Sequence, residues 1–225
     1  MRSETVIIGA GHAGLALSRH LCEQGHDHVL LERGRVGERW HNERWDSMSL
    51  LTPNWLNVLP GQDVPDDPHG FTSRATFAYR LGEYARSFCA PVVEQTTVGR
   101  VTRRPGGRFA VHTSRGTWST ANVVVATGDC DLPRVPAVAH AVPTGIPQLH
   151  VSAYRRPELL PPGGVLVVGA GPSGQQVARD LSDTGRDVVL CVGRHARAPR
   201  RYRGEDIFYW LEATGSRSPF GVGWP

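Results

Sequence analysis

The chain has 225 residues, of which 40% are apolar, the make-up of a soluble α/β protein of one large or two small domains. Its net charge of +4 comes from 25 arginines and no lysine set against 21 acids; the arginines are spread among the acids, with no basic run interleaved with aromatics, which points away from nucleic acid. No apolar run approaches the ~18 residues of a membrane span, and Cys22, Cys89, Cys130 and Cys191 form no C-x-x-C, which argues against a zinc knuckle or a redox disulfide. A strand begins almost at once and leaves no room for a signal peptide, so a reducing, cytoplasmic setting is expected.

Residues 5–35, TVIIGAGHAGLALSRHLCEQGHDHVLLERGR, read as a short apolar strand, a G-x-G-x-x-G turn, an amphipathic helix and a second apolar strand. That order is the βαβ dinucleotide-binding fingerprint. Gly9 permits the tight turn, Gly11 lets backbone approach a pyrophosphate, and Gly14 lets helix pack on strand. The helix N-terminus offers free N–H groups and a partial positive charge to phosphates. His12 and Ala13 lie beside that phosphate position, although His12 also suits a plain solvent-facing turn. Glu32, closing the second strand, is placed to accept hydrogen bonds from ribose hydroxyls and to repel a 2′-phosphate, which suits FAD or NAD.

Residues 33–62 are loop-rich, with Trp40, Trp45 and Trp55 at irregular spacing and Pro53 and Pro60 breaking any long helix. The tryptophans pack over a bound ring or over the rest of the domain; Arg33, Arg39 and Trp40 join the candidate cofactor contacts. A helix is expected over about 77–89, with Phe77, Leu81, Tyr84, Ala85 and Phe88 on its apolar face. Residues 91–126 read as strands, with a turn at Pro105-Gly106-Gly107. A connector rich in proline follows, over 129–164.

Residues 165–195, VLVVGAGPSGQQVARDLSDTGRDVVLCVGRH, repeat the first unit at a constant offset of 160. Gly169, Gly171 and Gly174 fall on Gly9, Gly11 and Gly14. Pro172 and Ser173 open the second helix, Ser173 able to bond phosphate, and Gln175 and Gln176 to reach a nicotinamide. The two copies differ at the decisive acid. Where the first has Glu32 the second has Val192, followed by Arg194, with Arg197, Arg200, Arg201 and Arg203 close behind. Guanidinium groups bind a 2′-phosphate bidentately, so the second copy suits NADP(H); a solvated basic loop is the alternative. Residues 205–215, EDIFYWLEATG, read as a short amphipathic helix.

The order GAGHAG, VGERW, W-D-S…L-L-T-P-N-W, VVVATG at 123–128, His150 and Tyr154 four apart, then GAGPSG, resembles the flavin-containing monooxygenases, in their bacterial FAD/NAD(P)-binding oxidoreductase branch. The resemblance runs to about residue 212. It implies that Val98 meets the adenine through its backbone and that Thr127-Gly128 lies near the FAD pyrophosphate and ribose. It also implies a small β-meander over about 91–120. His150 and Tyr154 match the second half of the signature that joins the family's two domains; the first half is poor, with Gly145 five positions before His150 and no Phe before it. The family's Asn beside Thr-Pro precedes that pair, whereas here Asn54 follows Thr52-Pro53.

The expected fold is α/β, with two Rossmann-like, three-layer ββα dinucleotide-binding units. Residues 1–160 form the FAD-binding part, and 161–225 an NADP-binding part holding its first βαβ only, so that the chain resembles a C-terminally truncated family member. The implied function is hydride transfer from NADPH to FAD, then O2 activation and oxygenation of a small organic substrate. A flavin reductase without oxygenation, or a truncated nucleotide-binding protein, stays open, as does a homodimer or a completing partner chain. No Ser/His/Asp set, paired carboxylate or metal cluster stands at a convincing spacing, so no catalytic side chain is assigned.

Overall fold

The computed structural model describes residues 1–128, 132–194 and 199–215. In chain order the elements are β1 (Thr5–Ile8), α1 (His12–Glu23), β2 (His28–Leu31), α2 (Glu38–Asn42), α3 (Arg74–Ser87), β3 (Val92–Val93), β4 (Val98–Arg103), β5 (Phe109–Thr113), β6 (Gly116–Thr120) and β7 (Asn122–Val125). β8 (Val165–Val168), α4 (Pro172–Asp183), β9 (Val188–Cys191), β10 (Arg201–Tyr202), β11 (Glu205–Asp206) and α5 (Ile207–Ala213) follow. They form two compact units. One comprises residues 1–49, 58–63 and 72–161; the other comprises 50–57, 64–71 and the described residues from 162 onward. Segments 50–57 and 64–71 thus group with the second unit, although both lie inside the 1–160 span read as the first domain.

The first unit is built on a parallel sheet in the order β3-β2-β1-β7. Its central strand, TVII, is apolar because both faces are covered, and Val6 and Ile7 are wholly buried. On one side α1 buries Leu15 and Ser18, and Ser18 Oγ bonds His28 Nε2 at 2.8 Å, so these two buried polar residues satisfy each other. On the other side, Val6, Val29, Leu31 and Val111 form a core cluster joined by Ile8, Val93, Val98, Trp118 and Val123. That cluster seats the antiparallel meander β4-β5-β6. The meander turns through Gly106 and Gly107, both at positive φ, where a side chain would be strained.

Helix α3 buries Phe77, Ala78, Leu81, Tyr84 and Ala85, a helical-period stripe. It starts three residues before the expected position because Ser73 caps it, accepting from Thr76 N at 3.2 Å. It stops at Ser87, just before Cys89, whose φ is +51°. Tyr84 Oη donates to Pro60 O at 2.8 Å, tying the helix to the 58–63 segment.

In the second unit, α4 lies on the parallel pair β8–β9 and buries Val177 and Leu181. The elements β1, α1 and β2 recur here at an offset of 160 residues at every boundary. A β10–β11 hairpin turning at Arg203-Gly204 leads into α5, which Asp206 caps by accepting from Phe208 N at 3.0 Å.

Candidate functional site

The first Gly turn is shaped by three glycines with three different surroundings. Gly9 has φ +106°, and its N–H donates to Leu31 O at 2.8 Å, carrying the β1–β2 register into the turn. A Cβ on Gly9 would stand 2.7 Å from Ala126 O, and one on Gly14 would stand 2.1 Å from Gly9 O. A Cβ on Gly11 would meet nothing within 4 Å. Gly9 and Gly14 therefore serve packing, whereas Gly11 faces open space. Gly11 is the N-cap of α1 and offers no side-chain cap, so the first-turn N–H groups at His12, Ala13 and Gly14 lack intrahelical partners.

That space is a cavity of about 870 Å³. The turn and α1 contribute Gly9, Gly11, His12 and Ala13 to its wall; the end of β2 contributes Glu32 and Arg33. Arg39 and Trp40 come from α2, Val98 from β4, and Thr127 and Gly128 from the end of β7. Every candidate cofactor contact named from the sequence in the first unit, except Gly14, lines this one cavity.

Glu32 is buried and held from two sides. Its Oε2 accepts from Ala10 N at 2.8 Å and its Oε1 from Gly34 N at 3.1 Å. A carboxylate has further lone pairs and can accept more bonds. The His12 ring stacks on Phe77 at 6.0 Å, and Trp40 makes a T-shaped contact with Phe77 at 4.8 Å. Burial lowers the His12 pKa from its ordinary value by desolvation. Arg39 Nε lies 3.3 Å from a Glu43 oxygen, and Arg33 pairs with the same carboxylate.

The sequence reading missed several wall residues. Gly37, Arg44, Thr96 and Thr97 reach the cavity. Gly37 carries φ +70°, a signal readable in VGERW. Thr96 N donates to Glu32 O at 2.8 Å, a contact that no local pattern announces. Arg44 stacks over Trp40 at 5.6 Å.

The second turn repeats the first. Gly169 has φ +104°, a Cβ on Gly174 would stand 1.8 Å from Gly169 O, and Gly171 faces open space. Pro172 opens α4, where its missing N–H costs nothing. Ser173 is half-buried and Arg194 exposed. Gln175 turns back instead of outward: its Nε2 donates to Ala170 O at 2.7 Å. Arg200 is engaged within the unit, donating to Leu51 O at 2.8 Å, pairing with Asp206 at 2.7 Å and stacking over Phe71 at 4.5 Å. Arg203 lies over Tyr202, and Arg197 falls outside the described residues.

The remaining motif residues serve local structure. His150 Nδ1 accepts from Ser152 N at 3.2 Å, closing a short turn before the buried Tyr154. Arg155 O accepts from Asp46 N at 2.8 Å, and Asp46 pairs with Arg74, so this strap is fastened within the first unit. Asn54 is buried, and its Nδ2 donates to Asp67 O at 2.8 Å. Among the described residues Cys22, Cys89 and Cys191 are free, and no group of three metal-ligating side chains occurs. Cys130 falls outside them.

Residues 6–216 match the pyridine nucleotide-disulphide oxidoreductase family. The chain belongs to that family. It is 36% identical over 214 residues to an uncharacterized CzcO-like oxidoreductase of Geobacillus kaustophilus, covering 94% of this chain and 61% of the relative. A double mutant of the flavin monooxygenase from Stenotrophomonas maltophilia superposes with a TM-score of 0.79 at 25% identity, over 94% of this chain and 62% of that one. The OTEMO complex with FAD and NADP shares the fold at a TM-score of 0.61 and 18% identity, over 84% of this chain and 38% of that one. Our chain thus spans about three fifths of the length of its first relatives, 61% in the Geobacillus case. Its likeness to flavin monooxygenases accords with the family resemblance drawn from its motifs. Among the described residues no helix is long and apolar enough to cross a membrane.

Proposed function

We propose that the first-unit cavity holds FAD and the second Gly turn holds NADPH, in an oxidoreductase of the flavin monooxygenase type. The observation that carries this reading is the convergence of Glu32, the open Gly11, the uncapped start of α1 and Thr127-Gly128 on one cavity of about 870 Å³. That volume suits a large cofactor. When bound, NADPH supplies a hydride, and FAD supplies its acceptor and the means of activating O2.

The chain's own groups bind and orient. Glu32 accepts from the ribose hydroxyls while its backbone partners hold it in place. The α1 N–H groups of His12, Ala13 and Gly14 take the pyrophosphate at the positive end of the helix. Val98 offers backbone to the adenine. Trp40, backed by Phe77, walls the site and keeps water out. In the second unit Gly171, Ser173 and the start of α4 take the second pyrophosphate. Val192 leaves no carboxylate to repel a 2′-phosphate, and Arg194 is free in space to meet one. The substrate is a small organic molecule.

One observation favours a second reading, flavin reduction without oxygenation. Asn54 follows Thr52-Pro53 and is committed to Asp67 O, so it stays in the loop scaffold.

The test is to purify the chain, record its visible spectrum, reduce it anaerobically with NADPH or NADH, and then admit O2 with candidate amines or sulfides. Bound flavin that NADPH reduces at least tenfold faster than NADH supports the cofactor reading. Oxygen incorporated into a product selects monooxygenation, and peroxide release alone selects the second reading. A colourless protein that does not take up FAD refutes both.

A further inference from the structure

The loop that leads from the end of β2 to α2 is fastened on two sides. On one side Ala10 holds both of its ends: Ala10 N donates to Glu32 Oε2 at 2.8 Å, and Ala10 O accepts from Gly37 N at 3.1 Å. On the other side residues 94–96 run along it. Thr96 N donates to Glu32 O at 2.8 Å, Gln95 N donates to Gly34 O at 2.9 Å, and Glu94 Oε1 accepts from Val36 N at 2.8 Å. All of these groups belong to the first unit. The backbone of Glu94 is held in turn, its O accepting from Thr96 Oγ1 at 3.0 Å and from Arg115 Nη1 at 3.3 Å.

This second fastening departs from the sheet beside it. Leu30 pairs with Val92 and Leu31 with Val93, so a continued parallel ladder would bring the N–H of residue 95 to Glu32 O. Thr96 N takes that place instead. Gln95 is the extra residue, and it stands at φ +52°, in the left-handed region that a non-glycine residue keeps only where its surroundings hold it. The insertion frees Gln95 N for Gly34 O and brings the Glu94 carboxylate onto Val36 N. Bulges of this kind re-aim groups beside a site. Further along, Thr97 N donates to Ser114 Oγ at 3.1 Å, and Val98 opens β4. The strap therefore ties Glu32 to Thr96, Thr97 and Val98, which line the same cavity.

We propose that Glu94 is a positioning residue for the ribose end of the cofactor cavity, acting through Glu32. Gly34 is the link between them: its N–H donates to Glu32 Oε1 at 3.1 Å while its O is fixed by Gln95 N. Releasing Val36 from Glu94 loosens the backbone of residues 33–36, and with it the Gly34 N–H that sets the Glu32 carboxylate. Glu94 works by reach. Its charge alone would repel an anionic cofactor, so an electrostatic role would make its removal tighten binding. The proposal rests on the reading of this cavity as the FAD site.

The test titrates the whole chain with FAD and with FAD lacking the adenosine 2′-hydroxyl, which removes a donor to Glu32. Wild type should prefer FAD at least tenfold, as a hydrogen bond to a charged acceptor implies. In Glu94→Ala that ratio should fall below about threefold and FAD should bind at least tenfold more weakly. Glu94→Gln loses the charge but keeps an acceptor for Val36 N, and should stay close to wild type. Glu94→Asp keeps the charge but is one methylene short, and should resemble Glu94→Ala; it decides if the alanine variant does not fold. A second readout needs no cofactor. Amide hydrogen exchange at Ala10 and Gly34, the two donors to Glu32, should quicken at least tenfold in Glu94→Ala, with Gly9 in the sheet unchanged. An unchanged ribose ratio in Glu94→Ala and Glu94→Asp, or equal quickening at Gly9, overturns the proposal, as does a Glu94→Gln variant that behaves like alanine. A wild-type chain that takes up no FAD refutes the FAD reading, while the exchange rates still decide whether Glu94 holds Glu32.

Discussion

Gly11→Ala and Gly14→Ala make a matched pair, three positions apart at the same helix start, with opposite expected outcomes. Gly11 has φ −90° and ψ −167°, a conformation open to alanine, and its Cβ would meet nothing. Reduced freedom of the unfolded chain contributes about 0.4–1 kcal/mol in favour of alanine, and its poorer N-capping takes back a similar amount. Folding stability should therefore stay within about 0.5 kcal/mol of wild type. The new methyl does occupy the space proposed for the pyrophosphate, so FAD affinity should fall at least tenfold. Gly14→Ala places Cβ 2.1 Å from Gly9 O, where real contacts begin near 3 Å, and both partners are backbone. The ~1 kcal/mol gain in helix propensity does not offset an overpacking cost of about 3 kcal/mol. A net loss of about 2 kcal/mol lowers Tm by roughly 4–8 °C for a unit of this size. Thermal unfolding by circular dichroism and flavin titration separate the two effects. If Gly11→Ala unfolds as readily as Gly14→Ala, or if Gly14→Ala leaves Tm unchanged, the division into an opening glycine and a packing glycine is wrong.

Other positions follow the same reasoning. Glu32→Ala strips the buried N–H groups of Ala10 and Gly34 of their acceptor; it should cost about 1–3 kcal/mol in urea unfolding and abolish FAD binding, with Glu32→Gln intermediate in both. Arg74→Met removes donors from the Trp40 and His41 carbonyls and the partner of Asp46; about 2–3 kcal/mol of stability should be lost, read by thermal unfolding. Burial holds the His12 pKa below its ordinary 6.5. The unfolded chain therefore binds the proton first, and stability should decline as pH falls below that value. Denaturation at pH 5.5 and 7.5 should show that slope, and His12→Gln should reduce it. His41, also lowered by burial and then by Arg35, contributes with the same sign.

The parts of the site legible in the sequence are those that a local rule controls. Gly9, Gly11, Gly14 and Glu32 belong to one βαβ unit, whose spacing dictates where the turn and the second strand end, and the structure brings Gly9, Gly11 and Glu32 to one cavity. Thr96 and Thr97 were illegible because chain-distant contacts deliver them there. Val36 N bonds Glu94 Oε1 across 58 residues, and Gln95 N bonds Gly34 O; neither contact leaves a periodic trace. Gln175 illustrates a different gap. Its place at the start of a helix beside a Gly turn suggested an outward reach, yet a carboxamide one turn from Ala170 O closes back on it. The grouping of 50–57 with the second unit rests on contacts such as Arg200 to Leu51 O, 149 residues apart.

The repeat separates two kinds of information that a motif carries. The turn geometry, the helix start and the β-strand register recur at an offset of 160, because each is set by residues within about 25 positions of the turn. What differs is burial, which non-local chain supplies. β1 and β8 are equally apolar, TVII and VLVV, yet β1 is enclosed and β8 alternates between half-buried and exposed. The apolar character of Leu166 and Val168 is therefore not explained by anything the second unit does with them among the described residues. An outward-facing strand would carry polar residues at those positions. Valine and leucine there belong to a strand composed for the interior of a sheet.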